Sequence, residues 1–253
     1  MRISIKPPVK SALVVERPAF MLVGMMRSGS NFLERKLNLL PSVRCHGELF
    51  NPKFVGLAAD FGDQYLGYKR HDVWTRNHDS LGFLNEVLAG CDRAQCGFRM
   101  FLDHDPTVMA ETLYNPAIKK IVLTRNLLDS FVSLQIARET DVWLTTDKPQ
   151  EVTRVHVDPD ELVNFALRQS MFYNDVLTIL QRTGQRYFHI DYSEIKDLEQ
   201  LNGMAEFLGV SERFAEVVEP IVRQNPAEQR EKIINHAQLI EVLRERSMAR
   251  WFT

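Results

Sequence analysis

The sequence has only three cysteines, Cys45, Cys91 and Cys96, and no CxxC pair among them. An odd number of cysteines without paired spacing argues against a disulfide framework and against a zinc site. The pattern fits reduced thiols in the cytoplasm, and we assign these thiols no chemistry and predict no metal site.

Long apolar runs and basic runs are also absent. The most apolar segment near the start, residues 20–26, is too short to span a membrane, and Glu16 and Arg17 interrupt the apolar stretch before it. We therefore expect a cytoplasmic protein with neither a signal peptide nor a membrane span. The formal net charge is −2, from 31 Lys and Arg against 33 Asp and Glu. Because binding to a phosphate backbone needs a basic face, we expect no nucleic-acid partner, and any anion site must be local.

No repeat or low-complexity segment interrupts the 253 residues, of which 45% are hydrophobic and 25% are charged. These fractions exclude disorder, collagen and a coiled-coil rod as descriptions of the whole chain. Proteins of this length commonly form one domain around one sheet, so we expect residues 1–253 to form a single domain.

Short segments rich in β-forming residues alternate with helical patterns. Strands are predicted for residues 19–25, 95–101, 120–124 and 186–190. A long helix is predicted for residues 162–180, with Asp158 and Pro159 at its start and Gly184 at its stop. Strands that alternate with helices form parallel sheets, with ligand sites in the loops at the carboxyl ends of the strands. We therefore predict an α/β fold with a central parallel sheet flanked by helices.

A Ser/Gly-rich turn, GMMRSGSN at residues 24–31, joins the first predicted strand to the first predicted helix. The backbone N–H groups of such a turn can surround an anion, and Arg27 adds a full positive charge. Hydroxyl groups, including that of Ser28, can donate further hydrogen bonds. Ser30 or Asn31 can cap the helix that follows.

The turn matches a P-loop only in part. Gly24 and Gly29 have the P-loop spacing, but Ser30 stands where the P-loop has Lys. Asn31 stands where a Ser or Thr would hold Mg²⁺. An ordinary nucleoside triphosphatase is therefore disfavoured.

A second predicted strand runs into a helix at residues 120–133, KIVLTRNLLDSFVS. Arg125 lies at the carboxyl end of the strand, and Ser133 follows eight residues later, about two helical turns away. Both side chains can reach one bound anion if the chain curls back at Asn126. The two motifs together imply two separate anion contacts.

In combination, the two motifs resemble the sulfotransferases that use 3′-phosphoadenosine 5′-phosphosulfate (PAPS). In that family a 5′-phosphosulfate loop follows the first strand, and the 3′-phosphate motif has an Arg and a Ser eight residues apart. The likeness is to bacterial carbohydrate sulfotransferases of the nodulation-factor and trehalose type. It extends over residues 20–209 and includes the late segments DYSEI, at 191–195, and FLG, at 207–209.

The resemblance implies a P-loop-like fold and transfer of the sulfuryl group from PAPS to an acceptor hydroxyl, with 3′-phosphoadenosine 5′-phosphate (PAP) as the product and no metal. It implies a hydroxyl-bearing small molecule as acceptor, a sugar or glycolipid. The residues that match the family's 5′-phosphosulfate loop are Arg27, Ser28, Gly29, Ser30 and Asn31. Arg125 and Ser133 match its 3′-phosphate motif.

In-line transfer to a hydroxyl needs a base near that hydroxyl and positive donors near the leaving oxygen. Glu48 is the predicted base, because it stands where the resembled bacterial family has its catalytic carboxylate. Arg27 would stabilise the leaving phosphate. His46 and His104 are rival bases, since imidazole suits proton transfer at neutral pH. Arg99 could position the acceptor or the cofactor.

Several peripheral features could complete such a site. Trp143 and Phe50 are candidates to stack on adenine or sugar rings. A polar stretch with Arg223 and Arg230 could fold over the nucleotide or be a solvated loop. Residues 145–160 read as a loop, either a lid or an ordinary surface connection.

Two other functions stay open from the sequence. One is a nucleotide kinase or phosphotransferase with a degenerate P-loop. The other is a nucleotide-binding domain that retains the anion cradle without turnover. The sequence does not predict the oligomeric state.

Overall fold

The computed structural model describes residues 11–143, 153–216, 228–248 and 252. In chain order, its helices and strands over these residues are β1 (Ala19–Val23), α1 (Ser30–Leu37), β2 (Val43–Cys45), β3 (Gln64–Tyr65), β4 (Tyr68–Lys69), α2 (Val73–His78), α3 (Ser80–Ala89), β5 (Gln95–Met100), α4 (Pro106–Tyr114), β6 (Ile118–Thr124), α5 (Leu127–Thr140), α6 (Pro159–Arg182), β7 (Tyr187–Asp191), α7 (Leu198–Leu208), α8 (Gln229–Lys232) and α9 (His236–Glu245). A 3₁₀ turn covers Ala59–Phe61. None of the helices in the described ranges is long and apolar enough to cross a bilayer.

Five strands form one sheet in the order β2-β5-β1-β6-β7, and every pairing in it is parallel. The short strands β3 and β4 pair separately and antiparallel. The predicted α/β fold with a central parallel sheet is therefore confirmed, and each of the four predicted strands coincides with a strand of this sheet. Because β1 lies in the middle, the loop that follows it opens at the centre of the carboxyl edge.

Helices cover both faces of the sheet, and the side chains of β1 alternate between the two faces. Phe20 and Leu22 pack with α1 and α7, whereas Met21 and Val23 pack with α3, α4 and α6. This alternation follows from the two-residue period of a strand. Both layers bury an apolar face, so β1 is enclosed on all sides and fixes the position of the loop after it.

Gly97 in β5 allows the sheet to close around Phe20. The two residues are neighbours in the β1–β5 register, and the Phe20 ring covers the Gly97 backbone. A Cβ atom at Gly97 would lie 2.2 Å from the ring. A larger residue here would force β1 and β5 apart.

A third apolar cluster lies beyond the carboxyl edge and joins Met25 to α5, α6 and α9. Helix α6 begins and ends as predicted. The Asp158 carboxylate accepts from two backbone N–H groups of its first turn, and Gly184, with φ of 64°, follows its end. The cluster therefore supports the loop after β1 from the side opposite to α1.

The predicted cap of α1 is wrong. Gly29, with φ of 96°, occupies the N-cap position and has no side chain to accept from the first-turn N–H groups. Ser30 lies inside the helix, and its Oγ accepts instead from Nη1 of Arg99 at 3.0 Å. A helix that begins in this way leaves N–H groups directed towards the loop, which suits an anion.

His46 follows β2 and is fully buried against the rings of Phe61 and Tyr65. Burial, together with the charge of Arg44, lowers the pKa of His46 from 6.5 to about 4. The unfolded chain takes up this proton at the ordinary pKa, so stability falls as the pH drops below 6.5. Between pH 7 and pH 5 we expect His46 to account for a loss of about 2 kcal/mol in the free energy of unfolding.

Denaturant titrations at the two pH values measure this loss. His46→Phe should remove it, because phenylalanine keeps the ring contacts and does not titrate. The exposed His71 supplies the control, and His71→Phe should keep the wild-type pH dependence. An unchanged pH dependence in His46→Phe would contradict the assignment.

Candidate functional site

Five loops meet at the carboxyl edge of the sheet. They follow β1, β5, β6, β7 and β2, and the parallel arrangement brings their first residues to the same side. The backbone N–H of Gly24 donates to the carbonyl of Met100 at 3.1 Å, which links the first two of these loops. The residues predicted to bind the donor come from the loops after β1 and β6 and from α1 and α5.

The loop after β1 contains two left-handed residues, Arg27 with φ of 65° and Gly29 with φ of 96°. The Tyr192 ring packs directly on Gly29, since a Cβ atom there would lie 2.5 Å from Tyr192 Cδ2. Ser28 between them is buried, and its Oγ has no hydrogen-bond partner among the described residues. A buried hydroxyl of this kind normally has a partner, and a phosphate oxygen would provide one.

The two predicted anion motifs lie in contact with each other. Nε of Arg27 donates to Oγ of Ser133 at 3.0 Å, and Nη1 of Arg27 donates to the carbonyl of Trp143 at 2.7 Å. Nη1 of Arg125 donates to the backbone carbonyl of Arg27 at 2.7 Å. The loop after β1 and the segment from Arg125 to Ser133 therefore form one surface.

This surface concentrates positive charge. Burial, and then the nearby charge of Arg125, lowers the pKa of Arg27 to about 10. The guanidinium is still positive at neutral pH, but it lies in a region where a further positive charge is unfavourable. Arg125 also stacks on Tyr192, with its Cζ 3.9 Å from the ring centroid. An anion that binds here would be stabilised by both arginines.

A second polar group lies beside the loop and centres on Arg99. Nε of Arg99 is 2.8 Å from Oε2 of Glu34, and its Nη1 is 3.5 Å from Oε1 of Glu48. Nε2 of His104 is 3.5 Å from the other oxygen of Glu48. The Glu48 side chain is 15% exposed, whereas Arg99, Glu34 and His104 are buried. Among these four groups Glu48 is the one that a substrate can reach most readily.

The orientation of His104 determines what it can do. Its Nδ1 accepts from the backbone N–H of Phe101 at 3.2 Å, so the proton of the neutral ring is on Nε2, which faces Glu48. In this state His104 offers a proton towards Glu48 and no free nitrogen for another. The predicted base Glu48 and its rival His104 therefore lie in contact, with His104 oriented to stabilise the Glu48 carboxylate.

Glu48 is held in its ionised form. Burial by itself would raise the pKa of Glu48, but His104, the charge of Arg99 and a hydrogen bond from Asn51 outweigh it and lower the pKa below 4.5. The Asn51 bond is 2.7 Å long. For Glu34 the balance is reversed, because its deeper burial raises the pKa. The pKa values of the two carboxylates around Arg99 are thus shifted in opposite directions, and Glu48 is the one held ionised, ready to accept a proton.

Other predicted residues lie elsewhere. His46 is buried and its ring nitrogens have no hydrogen-bond partner among the described residues, so it cannot reach a hydroxyl as a base. The prediction that Phe50 stacks on a ligand is wrong, because its ring is 1% exposed and packs against core phenylalanines. Trp143 is partly exposed, and Asn31 lies in the first turn of α1. Arg230 is exposed.

Two predictions lie wholly or partly outside the described residues. One concerns Arg223. The other concerns the loop 145–160, of which residues 153–160 are described. In that described part, Val155 forms a parallel bridge with Ile233, ahead of the start of α6.

Sequence reasoning missed Glu34 and the packing role of Tyr192. Glu34 lies four residues after Ser30, on the same side of α1, and both contact Arg99. The available signal was its spacing of four residues from Ser30, which the sequence had already placed in the donor site. No pattern near Tyr192 indicated that its ring would lie against both Gly29 and Arg125, because those contacts join distant parts of the chain.

The described residues contain no cluster of three or more His, Cys, Asp or Glu that could hold a metal ion. No protein-family model matches the chain, and no curated protein matches it significantly by sequence.

Solved structures do resemble it. A sulfotransferase from Alicyclobacillus acidocaldarius superposes with a TM-score of 0.50 at 19% identity, covering 94% of this chain and 99% of that one. Mouse sulfotransferase SULT7A1 complexed with PAP gives 0.45 at 14% identity, covering 81% of this chain and 62% of that one. The sulfotransferase domain from the curacin biosynthetic pathway gives 0.47 at 15% identity, covering 93% and 91%. The likeness to the bacterial structure confirms the predicted P-loop-like α/β fold.

The contact between Gly29 and Tyr192 can be tested by stability. Gly29→Ala should lower the free energy of unfolding by about 2–4 kcal/mol, because it adds a clash with the ring to the cost of a left-handed alanine. Gly184→Ala is the matched control, since Gly184 is also left-handed but has no atom within 4 Å of an added Cβ. It should cost only about 1 kcal/mol.

Denaturant titrations measure both losses. A double-mutant cycle with Tyr192→Ala should assign the difference to the ring, because the clash requires both side chains. Equal losses for the two glycine variants would contradict the packing described here.

Proposed function

We propose that the protein is a sulfotransferase that moves the sulfuryl group from PAPS to an acceptor hydroxyl and releases PAP. The observation that carries the proposal is the contact of Arg27 with Ser133 and Arg125, which joins the two predicted anion motifs. PAPS carries a 5′-phosphosulfate and a separate 3′-phosphate, so a donor of this class needs two neighbouring anion contacts. An ATP-dependent phosphotransferase needs a P-loop Lys and a Mg²⁺-binding Ser or Thr, and this loop has Ser30 and Asn31 instead.

The loop after β1 fits the 5′-phosphosulfate. Its features are the left-handed Gly29, the N-terminus of α1, where Ser30 and Asn31 begin the helix, and the buried hydroxyl of Ser28, which has no partner within the described part of the chain. Arg27 supplies positive charge beside these N–H groups. In the proposal Arg125 and Ser133 bind the 3′-phosphate, and both already contact Arg27.

Glu48 is the proposed base. The acceptor oxygen forms a bond to sulfur, the bond between sulfur and the 5′-phosphate oxygen breaks, and the hydroxyl proton passes to the Glu48 carboxylate. His104 and Arg99 keep that carboxylate ionised until the hydroxyl is in place. Arg27 stabilises the charge that develops on the leaving phosphate. Glu34 acts through Arg99, as a positioning residue, and requires no contact with the substrate.

The acceptor in this proposal is a hydroxyl-bearing small molecule. The resemblance to the bacterial carbohydrate enzymes suggests a sugar or glycolipid. We propose further that the chain forms a single domain, acts in the cytoplasm and needs no metal.

Glu48→Gln tests the base, because glutamine keeps the shape of the side chain but cannot take the proton. Incubation with labelled PAPS and a panel of sugars, glycolipids and hydroxy acids should give a labelled product with the wild type. The variant should transfer about 10²- to 10⁴-fold more slowly. Calorimetry should show PAP binding within about threefold of the wild type, since Glu48 does not contact the donor in the proposal.

Glu111→Gln makes the same change on the exposed face of α4 and should transfer at the wild-type rate. Undiminished transfer by Glu48→Gln would exclude this residue as the base. The pH profile then separates it from a histidine. A base with the lowered pKa of Glu48 keeps kcat/KM for the acceptor level down to pH 5, whereas an imidazole base loses it near pH 6.5.

Arg125→Ala tests the 3′-phosphate contact. Loss of a charge-assisted hydrogen bond to the 3′-phosphate should weaken adenosine 3′,5′-bisphosphate binding about tenfold to hundredfold more than AMP binding, because AMP is affected only through the lost contact with the Arg27 carbonyl. Calorimetry with the two nucleotides gives the ratio directly. Arg182→Ala removes an exposed arginine at the end of α6 and should leave both affinities unchanged. If Arg125→Ala weakens both nucleotides equally, the assignment to the 3′-phosphate is wrong.

A further inference from the structure

A cleft opens next to the surface formed by the loop after β1 and the segment from Arg125 to Ser133. It lies between the loop after β1, the loop after β5 and helices α5 and α6. None of the groups proposed to bind the donor phosphates lines it. Its walls are mostly apolar and come from Met25, Met26, Phe101, Leu102, Leu134 and Phe165. The polar groups that line it are Asp103, Arg138, Arg168 and Gln169.

Phe101 connects the cleft to the proposed base. One part of its ring lines the cleft, and the ring centroid lies 4.9 Å from that of His104 and 5.9 Å from Cζ of Arg99. His104 and Arg99 each lie 3.5 Å from an oxygen of the Glu48 carboxylate. On the opposite wall, Met25 and Met26 belong to the loop after β1, which is proposed to bind the 5′-phosphosulfate. A molecule in the cleft would therefore contact the loop after β1 and Phe101, which packs on the two groups that flank the proposed base.

Gln169 indicates what the inner part of the cleft binds. The residue is 7% exposed, and its Oε1 has no hydrogen-bond partner among the described residues. A buried acceptor without a donor is unfavourable, so a ligand that supplies a donor removes this cost. The Oε1 atom can accept only, which selects a hydroxyl or an N–H group.

Two arginines give the outer part of the cleft its charge. Arg138 on α5 and Arg168 on α6 are both exposed, and no acidic group in the described ranges forms an ion pair with either. Asp103 contributes one carboxylate, so the charged side chains that line the cleft sum to one positive charge. Arginines match carboxylate and phosphate oxygens in pairs of hydrogen bonds.

We propose that this cleft binds the acceptor, and that the acceptor is an amphipathic molecule with an apolar body, one acidic group held by Arg138 and Arg168, and a hydroxyl or N–H donor to Gln169 besides the hydroxyl that reacts. The inference rests on the proposed function and narrows its substrate class. A small neutral sugar would leave the net positive charge of the cleft uncompensated and would bring polar hydroxyls against six apolar side chains. A hydroxylated acid with a hydrocarbon body satisfies all three parts of the cleft.

The probe is 10-hydroxydecanoate, with its methyl ester and decanoate as comparisons. Calorimetry with PAP-saturated protein should show the free acid binding at least tenfold more tightly than the ester. Arg138→Gln/Arg168→Gln should remove this preference, and both positions are exposed, so the fold is retained. Arg182→Gln, an exposed change on α6 outside the cleft, is the control and should keep the preference.

Gln169→Leu separates recognition of the hydroxyl from recognition of the acid. It should weaken 10-hydroxydecanoate about tenfold while decanoate binds as before, because only the former donates to Oε1. Equal binding of acid and ester by the wild type, or an unchanged preference in the double arginine variant, would overturn the inference.

Competition between PAP and the probe would also overturn it, since the cleft would then belong to the donor. Failure of PAP to bind, with the acid preference intact in the protein alone, would instead refute the proposed function and leave the anion-selective cleft standing.

Discussion

Two guanidinium groups, those of Arg27 and Arg125, lie close together in the loops that follow the central strands, and the site depends on this concentration of positive charge. Arg125 holds the backbone of Arg27 by a 2.7 Å hydrogen bond, while Arg27 reaches Ser133 on α5. Burial lowers the pKa of Arg27, and the charge of Arg125 lowers it further, which reflects the cost of holding two like charges together. The rigid sheet around β1, packed on both faces, supports this arrangement. A bound anion of high charge density would offset the repulsion between the two guanidinium groups, and this would make its binding free energy more favourable.

The second requirement is a carboxylate that stays ionised although it is mostly buried. Glu48 satisfies it because Arg99 and His104 compensate for lost hydration, and Glu34 helps to hold Arg99 in place. Buried polar groups of this kind are favourable only when each has its partner. In the proposed mechanism, His104 faces Glu48 with its proton and supports that carboxylate as the base. The proposed donor surface and the proposed base are therefore supported by different contacts on the same edge of the sheet.

Much of the fold could be predicted from local sequence. Apolar runs of strand length gave the strands, and Asp158, Pro159 and Gly184 gave the limits of α6, because these signals act within a few residues. The N-cap of α1 could not be predicted in this way, because Gly29 adopts its conformation under the ring of Tyr192, a residue far away in sequence. The contact between Glu48 and His104 could not be predicted for the same reason. Both residues were recognised singly, but only the parallel order of β2, β5 and β1 brings them together.

We propose that the surface around Arg27 and Arg125 recognises a nucleotide with phosphates at both the 5′ and the 3′ positions. Calorimetry of the wild-type protein with adenosine 3′,5′-bisphosphate, AMP, and ATP with Mg²⁺ measures this recognition. The bisphosphate should bind at least tenfold more tightly than either of the others, because it alone engages both anion motifs. Equal affinities, or a preference for ATP with Mg²⁺, would contradict it and favour a phosphotransferase with a degenerate P-loop.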